Sequence, residues 1–218
     1  MKIFLLTLIF LSECVFFGEV NLATQNADSA QKNKEYTQLE EALKVPEKVY
    51  RLNLSNQYFK KFPPELSVFK NLQYLSLRND QLVVIPPEIT MLTNLRVLDL
   101  GSNNIPTLPA DFFKLKNLEE LYLDNDKNLN LSQSFEVLGK LPKLKILHLD
   151  NDDIQRLPSN IKKLTQLEKL YISHNLFQFV PPEVRGLKNL KYLDINHNKY
   201  RIDLPLNQVS EPGLKIKF

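Results

Sequence analysis

From Val49 onward the apolar positions recur at a fixed long period, not at the spacing of one helix or one strand. Two consecutive windows, LQYLSLRNDQLVVIPPEITMLTN from Leu72 and LRVLDLGSNNIPTLPADFFKLKN from Leu95, place leucine or isoleucine and then proline at matching offsets. The register extends to window starts at Val49, Leu72, Leu95, Leu118, Leu144, Leu167 and Leu190, at intervals of 23, 23, 23, 26, 23 and 23 residues. A period in this range is the mark of a solenoid. In each window a leucine and a second leucine or isoleucine stand two residues apart, as Leu75 with Leu77 and Leu98 with Leu100, and so face the same side of an extended strand. The second limb carries Leu82, Ile85, Ile89 and Leu92, while Pro86 and Pro87 forbid a regular ladder there. One such coil cannot bury enough to offset its own ordering, so the coils are expected to stack.

The pattern L-x-x-L-x-L-x-x-N/D-x-L-x-x-L-P resembles the leucine-rich repeat of the 23-residue bacterial kind, and the chain is similar to small secreted leucine-rich-repeat proteins of Leptospira-type spirochaetes. The resemblance covers residues 35 to 218. It implies an α/β solenoid: a horseshoe or arc with a parallel β-sheet on the concave face and an irregular or short-helical convex side. Seven repeats are expected over residues 49–204, with a C-terminal cap over 205–218.

The 218 residues have room for one elongated domain, and a formal charge of +3 is too small to argue for a nucleic-acid binder. Met1 to Val20 reads as a signal peptide, with Lys2 ahead of the apolar run Ile3 to Leu11. That run is short for a bilayer span and Glu13 interrupts it, so no transmembrane segment is expected after cleavage. The single cysteine, Cys14, follows Leu11-Ser12-Glu13; this resembles a lipoprotein box, although glutamate fits poorly before a modified cysteine. Residues 21–34 read as a flexible linker. Over 35–48, Tyr36, Leu39, Ala42 and Leu43 fall at helical spacing, Thr37 and Glu40 at capping-box spacing, and Pro46 ends the run, which predicts a capping helix.

The window from Leu118 to Lys143 is three residues longer and lacks the leucine-proline pair. Ser132 to Gly139 predicts a cap, one or two helical turns and a glycine stop. Leu214 to Phe218 alternates apolar and basic residues, as an edge strand guarded by lysines would.

Three residues after the last strand leucine stand Gln57, Asp80, Asn103, Asp126, Asp152, Asn175 and Asn198. The resemblance implies an inward ladder of asparagines, each both donor and acceptor. An ionised aspartate only accepts, so its coil has to supply N–H groups.

Outward residues of adjacent strands lie about 4.8 Å apart and form rows. All three histidines fall on this surface, with four tyrosines. The predicted partner-binding surface comprises Tyr74, Asp99, Glu120, Tyr122, Ile146, His148, Lys169, Tyr171, His174, Tyr192, Asp194 and His197, centred on Tyr122, His148 and Tyr171. For a metal, His174 and His197 with a carboxylate offer zinc ligands, and Asp124, Asp126, Asp150, Asp152 and Asp153 crowd two neighbouring strand exits in a way that suits calcium, although Asp126 and Asp152 read as inward; solvated polar strand ends explain the same residues without an ion. Lysines recur before the windows at Lys70, Lys116 and Lys188, with Lys114, Lys140, Lys143, Lys162 and Lys163 nearby, a stripe that either attracts sulfated glycans or keeps the edge soluble.

No nucleophile–base pair, phosphate loop or carboxylate pair in a pocket is evident, so no enzyme and no cofactor are expected. The leading expectation is an exported protein-binding module. The resemblance implies a secreted or surface location in a bacterium and a host receptor or adhesion molecule as partner, hence a role in adhesion and virulence. The alternative is a cell-envelope protein that binds glycan or a divalent metal ion.

Overall fold

The computed structural model describes residues 29–59, 62–200 and 213–218. Within them the strands are β1 (Glu35–Tyr36), β2 (Arg51–Asn53), β3 (Tyr74–Ser76), β4 (Val97–Asp99), β5 (Glu120–Tyr122), β6 (Ile146–His148), β7 (Lys169–Tyr171), β8 (Tyr192–Asp194) and β9 (Lys215–Lys217). They form one open sheet in chain order, and every neighbouring pair is parallel. The middle residue of each strand from β2 to β8, Leu52 through Leu193, points into the core and is fully buried. The residues on either side of it project from the other face, as a period of two requires.

Each coil returns on the far side through a five-residue 3-10 turn: Pro64–Val68, Pro87–Met91, Ala110–Lys114, Ser159–Lys163 and Pro182–Gly186. A proline stands immediately before every one of these turns, extended, where a missing N–H costs nothing. Phe69, Phe112, Phe135 and Phe177 fill the interior between the sheet and these turns.

The long coil departs from the expected boundary. Its helix α2 spans Leu131–Leu138, and the cap is Asn130, whose Oδ1 accepts the Gln133 N–H at 3.0 Å, rather than Ser132. Gly139 follows in a right-handed conformation. Its value is space: a Cβ there would meet the Lys163 Cβ of the next coil at 2.8 Å.

The N-terminal cap also differs from the single helix expected over 35–48. Residues 29–33 are helical, Glu35–Tyr36 is a strand, and helix α1 is confined to Leu39–Ala42 with Gln38 as an N-cap that makes no side-chain cap bond. The Thr37–Glu40 box is therefore not formed. An open sheet edge competes for this segment: Tyr36 pairs with Leu52 and is buried on it. The predicted signal peptide, Cys14 and most of the predicted linker lie outside the described residues, as do 201–212. Among the described residues no helix is long and apolar enough to cross a membrane.

Candidate functional site

Parallel in-register pairing turns the outward positions into two rows. One runs Tyr74, Val97, Glu120, Ile146, Lys169, Tyr192; the other runs Ser76, Asp99, Tyr122, His148, Tyr171, Asp194. In the second row Tyr122 stacks on His148 with ring centroids 3.9 Å apart and planes 8° from parallel. His148 stacks in turn on Tyr171 at 4.3 Å and 9°. Tyr192 extends the series at 5.5 Å, tilted by 48°. The three central residues of the prediction are thus one column of rings.

Carboxylates clamp the column. Glu120 Oε1 accepts from the Tyr122 hydroxyl at 2.7 Å and lies 2.9 Å from His148 Nε2. Asp150 Oδ2 lies 3.8 Å from the other ring nitrogen, and Asp150 Oδ1 accepts from the Ser173 hydroxyl at 2.6 Å and its N–H at 2.8 Å. Burial works against an imidazolium here, yet Asp150 and Glu120 outweigh it and hold the His148 pKa above its ordinary value. The hydrogen bond from His148 correspondingly holds Glu120 below the usual carboxylate range. Burial and the Glu120 carboxylate push the Tyr122 phenol upward, so it remains a hydrogen-bond donor.

The remaining predicted residues are less uniform. The Arg51 guanidinium lies over the Tyr74 ring at 4.1 Å. Asp194 faces the same side but is only 5% exposed, with Lys217 Nζ at 3.0 Å and the Asn196 amide at 2.5 Å taking its oxygens. Ile146 is half-buried, and Lys169 is exposed and stands in the row between Ile146 and Tyr192. His174 and His197 lie one loop beyond the strands and stack on each other at 4.2 Å and 5°. Both have left-handed backbone, φ 53° and 54°, as do Asn56, Asn79, Ser102, Asn125 and Asn151 at the same place in the other coils. Asparagine tolerates that region best, which explains its frequency there. Asn79 donates to Asn56, and Asn151 to Asn125, so the loop row is a ladder that the histidine pair continues.

Of the oxygen donors considered for a metal, Asp124 and Asp150 have protein partners. Arg78 grips Asp124 with both guanidinium nitrogens and reaches Asp99 at 3.2 Å, while Ser173 holds Asp150. Among the described residues no three potential ligands converge.

Two features escaped the sequence analysis. Arg78 crosses the open space over Gly101 to reach Asp124; a glycine where neighbouring coils carry Asp124 or Arg78 was the visible signal. Asparagines immediately before several windows form a ladder on the outer edge: Asn71 donates to Glu47 O at 2.8 Å, Asn94 to Lys70 O at 2.8 Å, Asn117 to Thr93 O at 2.9 Å and Asn189 to Thr165 O at 2.7 Å. Their fixed place one residue ahead of the repeat was legible. The lysines Lys70, Lys116, Lys140, Lys143, Lys162, Lys163 and Lys188 are all exposed.

A solenoid of stacked coils with a parallel sheet and a ring-lined open face defines a repeat protein of the interaction type. The chain belongs to the leucine rich repeat family, which it matches over residues 70–129 and 136–200, and its fold is a leucine-rich-repeat arc. Among solved structures it is similar to the Toll–Spatzle complex of Drosophila, at 22% identity and TM-score 0.68 over 82% of this chain and 24% of that one. The TLR13–ssRNA13 complex is similar at 26% identity and TM-score 0.58, over 75% of this chain and 23% of that one. A leucine-rich-repeat protein of Leptospira interrogans is similar at 25% identity and TM-score 0.37, over 84% of this chain and 69% of that one. This chain spans about a quarter of the length of the Toll and TLR13 chains. No curated protein matches the sequence.

Proposed function

We propose that the chain is a non-enzymatic, exported module that captures a protein through the open face of its sheet, with Tyr122, His148 and Tyr171 as the centre of the contact. The observation that carries this reading is the clamped column of rings. Aromatic side chains held in place lose little freedom on binding, and tyrosine is enriched where binding energy concentrates. Ile146 supplies an apolar neighbour, and exposed Lys169 a charge for orientation.

The same geometry argues against two other ligands. Tyr122 and Tyr171 each give one ring face to His148, whose own two faces are both covered, so those faces are closed to a ligand. Sugar rings and nucleobases bind aromatic faces. The Toll and TLR13 structures are named as complexes with Spatzle and with ssRNA13. Here protein is the better match, and a host receptor or adhesion molecule is the partner class that the Leptospira-type resemblance adds, together with a secreted or surface location.

The test is capture of purified extracellular proteins on an array, with heparin as the glycan probe. Tyr122→Ala/Tyr171→Ala should abolish a protein interaction that the wild type makes, and neutralising Lys140, Lys143, Lys162 and Lys163 should leave it intact. Heparin binding lost with the lysines, without any protein interaction sensitive to the rings, would sink the reading in favour of the glycan alternative.

A further inference from the structure

The inward ladder contains an anomaly in its middle. Asn103 shows the normal rung: its Oδ1 accepts the N–H groups of Asp80 and Leu82, both at 3.0 Å, and its amide donates to Leu100 O at 2.6 Å and Leu77 O at 2.9 Å. Asn175 repeats this, accepting from Asp152 and Ile154 at 3.0 Å and donating to Ile172 O at 3.1 Å and Leu149 O at 2.7 Å. Each amide thus serves the last strand carbonyl of its own coil and of the coil before.

Between these two rungs stand Asp126 and Asp152, 1% and 7% exposed. Their Oδ1 atoms do the asparagine's accepting: Asp126 takes the Ile105 N–H at 3.1 Å, and Asp152 takes the Asp126 N–H at 2.6 Å. Their Oδ2 atoms are buried without a partner, as is Asp80 Oδ2. By the register of the ladder, Oδ2 takes the place of the amide nitrogen. The Leu123 carbonyl, which a normal ladder would serve from positions 126 and 152, has aspartate at both, and no donor among the described residues reaches it. A buried carboxyl oxygen without a donor, at the ladder place where an amide would serve a carbonyl, is satisfied if it carries the hydrogen itself.

We propose that Asp126 and Asp152 are built into the fold as neutral carboxylic acids that donate their Oδ2–H to strand carbonyls in place of asparagine amides, so that ionising them loosens the coils displaying Tyr122 and His148. The surroundings favour the neutral form. Burial raises both groups, and carboxylates add to it, Asp124 for Asp126 and Asp126, Asp124 and Asp150 for Asp152; the N–H donors to both, and the Arg78 charge for Asp126, oppose it in part. The result is about 7 for Asp126 and about 8 for Asp152. The Lys127–Asp153 pair nearby is half-exposed and self-neutralised at 2.7 Å, and His148 faces Asp150 and Glu120 on the opposite side of the sheet.

An unfolded aspartate ionises near pH ~3.9. Between that value and the raised folded values the folded chain holds more protons, so stability falls as pH rises through this window and levels off above it. The test is thermal unfolding of the full chain between about pH 5 and about pH 8, for wild type, Asp126→Asn, Asp152→Asn, the double variant and an exposed control, Asp153→Asn. Asparagine already serves at positions 103 and 175, so the ladder variants are expected to fold. The Tm drop across this range should shrink by half or more in the double variant and stay unchanged in the control. An infrared band of protonated carboxyl at neutral pH should disappear in the same variant. A double variant that keeps the wild-type pH slope, or a wild type without that band, overturns the proposal.

Discussion

Arg78 lies across Gly101 and closes a two-pronged ion pair with Asp124, its Nη1 3.1 Å from Asp124 Oδ1. A residue of the third strand's coil is thereby tied to one two coils further on, over the position where any side chain would stand in the way.

The expected consequence is that Gly101→Ala costs stability although alanine is the better residue for an ordinary strand exit. A Cβ at 101 would stand 2.7 Å from Asp124 Oδ1 and closer still to Arg78. Displacing the guanidinium leaves Asp124, 10% exposed in its side chain, without its cation, a loss of about 1–3 kcal/mol. Denaturant unfolding of Gly101→Ala, Arg78→Ala and the pair should show strong non-additivity. Simple additivity would mean that the crossing does not matter.

His148 should titrate above the ordinary histidine value of about 6.5. Its raised pKa means that the clamp stabilises the fold fully below that value and is lost as pH rises through the folded pKa. The imidazole proton signals in an NMR titration report this directly. Glu120→Gln should lower the midpoint, and an unmoved midpoint would show that Glu120 does not hold the charge. The aspartate ladder weakens over an overlapping range, and Asp126→Asn/Asp152→Asn separates the two effects.

Asn175→Ala should be among the most damaging single changes. It removes an acceptor for Asp152 and Ile154 N–H and the donor to Leu149 and Ile172 carbonyls, all in the interior. The expected loss is about 3 kcal/mol or more, because several buried polar groups lose partners at once. Since stability in a repeat array passes through neighbour interfaces, the unfolding transition should also broaden or split at this coil. A loss below about 1 kcal/mol would show that the rung is not needed.

Much of this protein was legible in one dimension because a solenoid's long-range contacts are themselves periodic. Leucine at a fixed offset in each window meets leucine at the same offset in the next, so the window starts fixed strand order, strand register and the buried faces. The column Tyr122–His148–Tyr171 was legible for the same reason: equal offset meant equal row. The C-terminal edge strand and a helix in the long coil were legible too, but the N-terminal end and the helix cap were not, because nothing repeats there: Glu35–Tyr36 went to an open sheet edge instead of a helix, and Asn130 rather than Ser132 capped α2.

Sequence alone thus determined which residues share a row and which face of the sheet they occupy, since periodicity of the backbone dictates both. Only the tertiary structure decided what those residues do to each other. That His148 lies flat between two phenols with a carboxylate at each nitrogen, that Arg78 passes over Gly101, and that the Asp126 and Asp152 Oδ2 atoms are buried without a partner all depend on side-chain direction and burial. Those properties are set by packing between coils, and no periodicity encodes them.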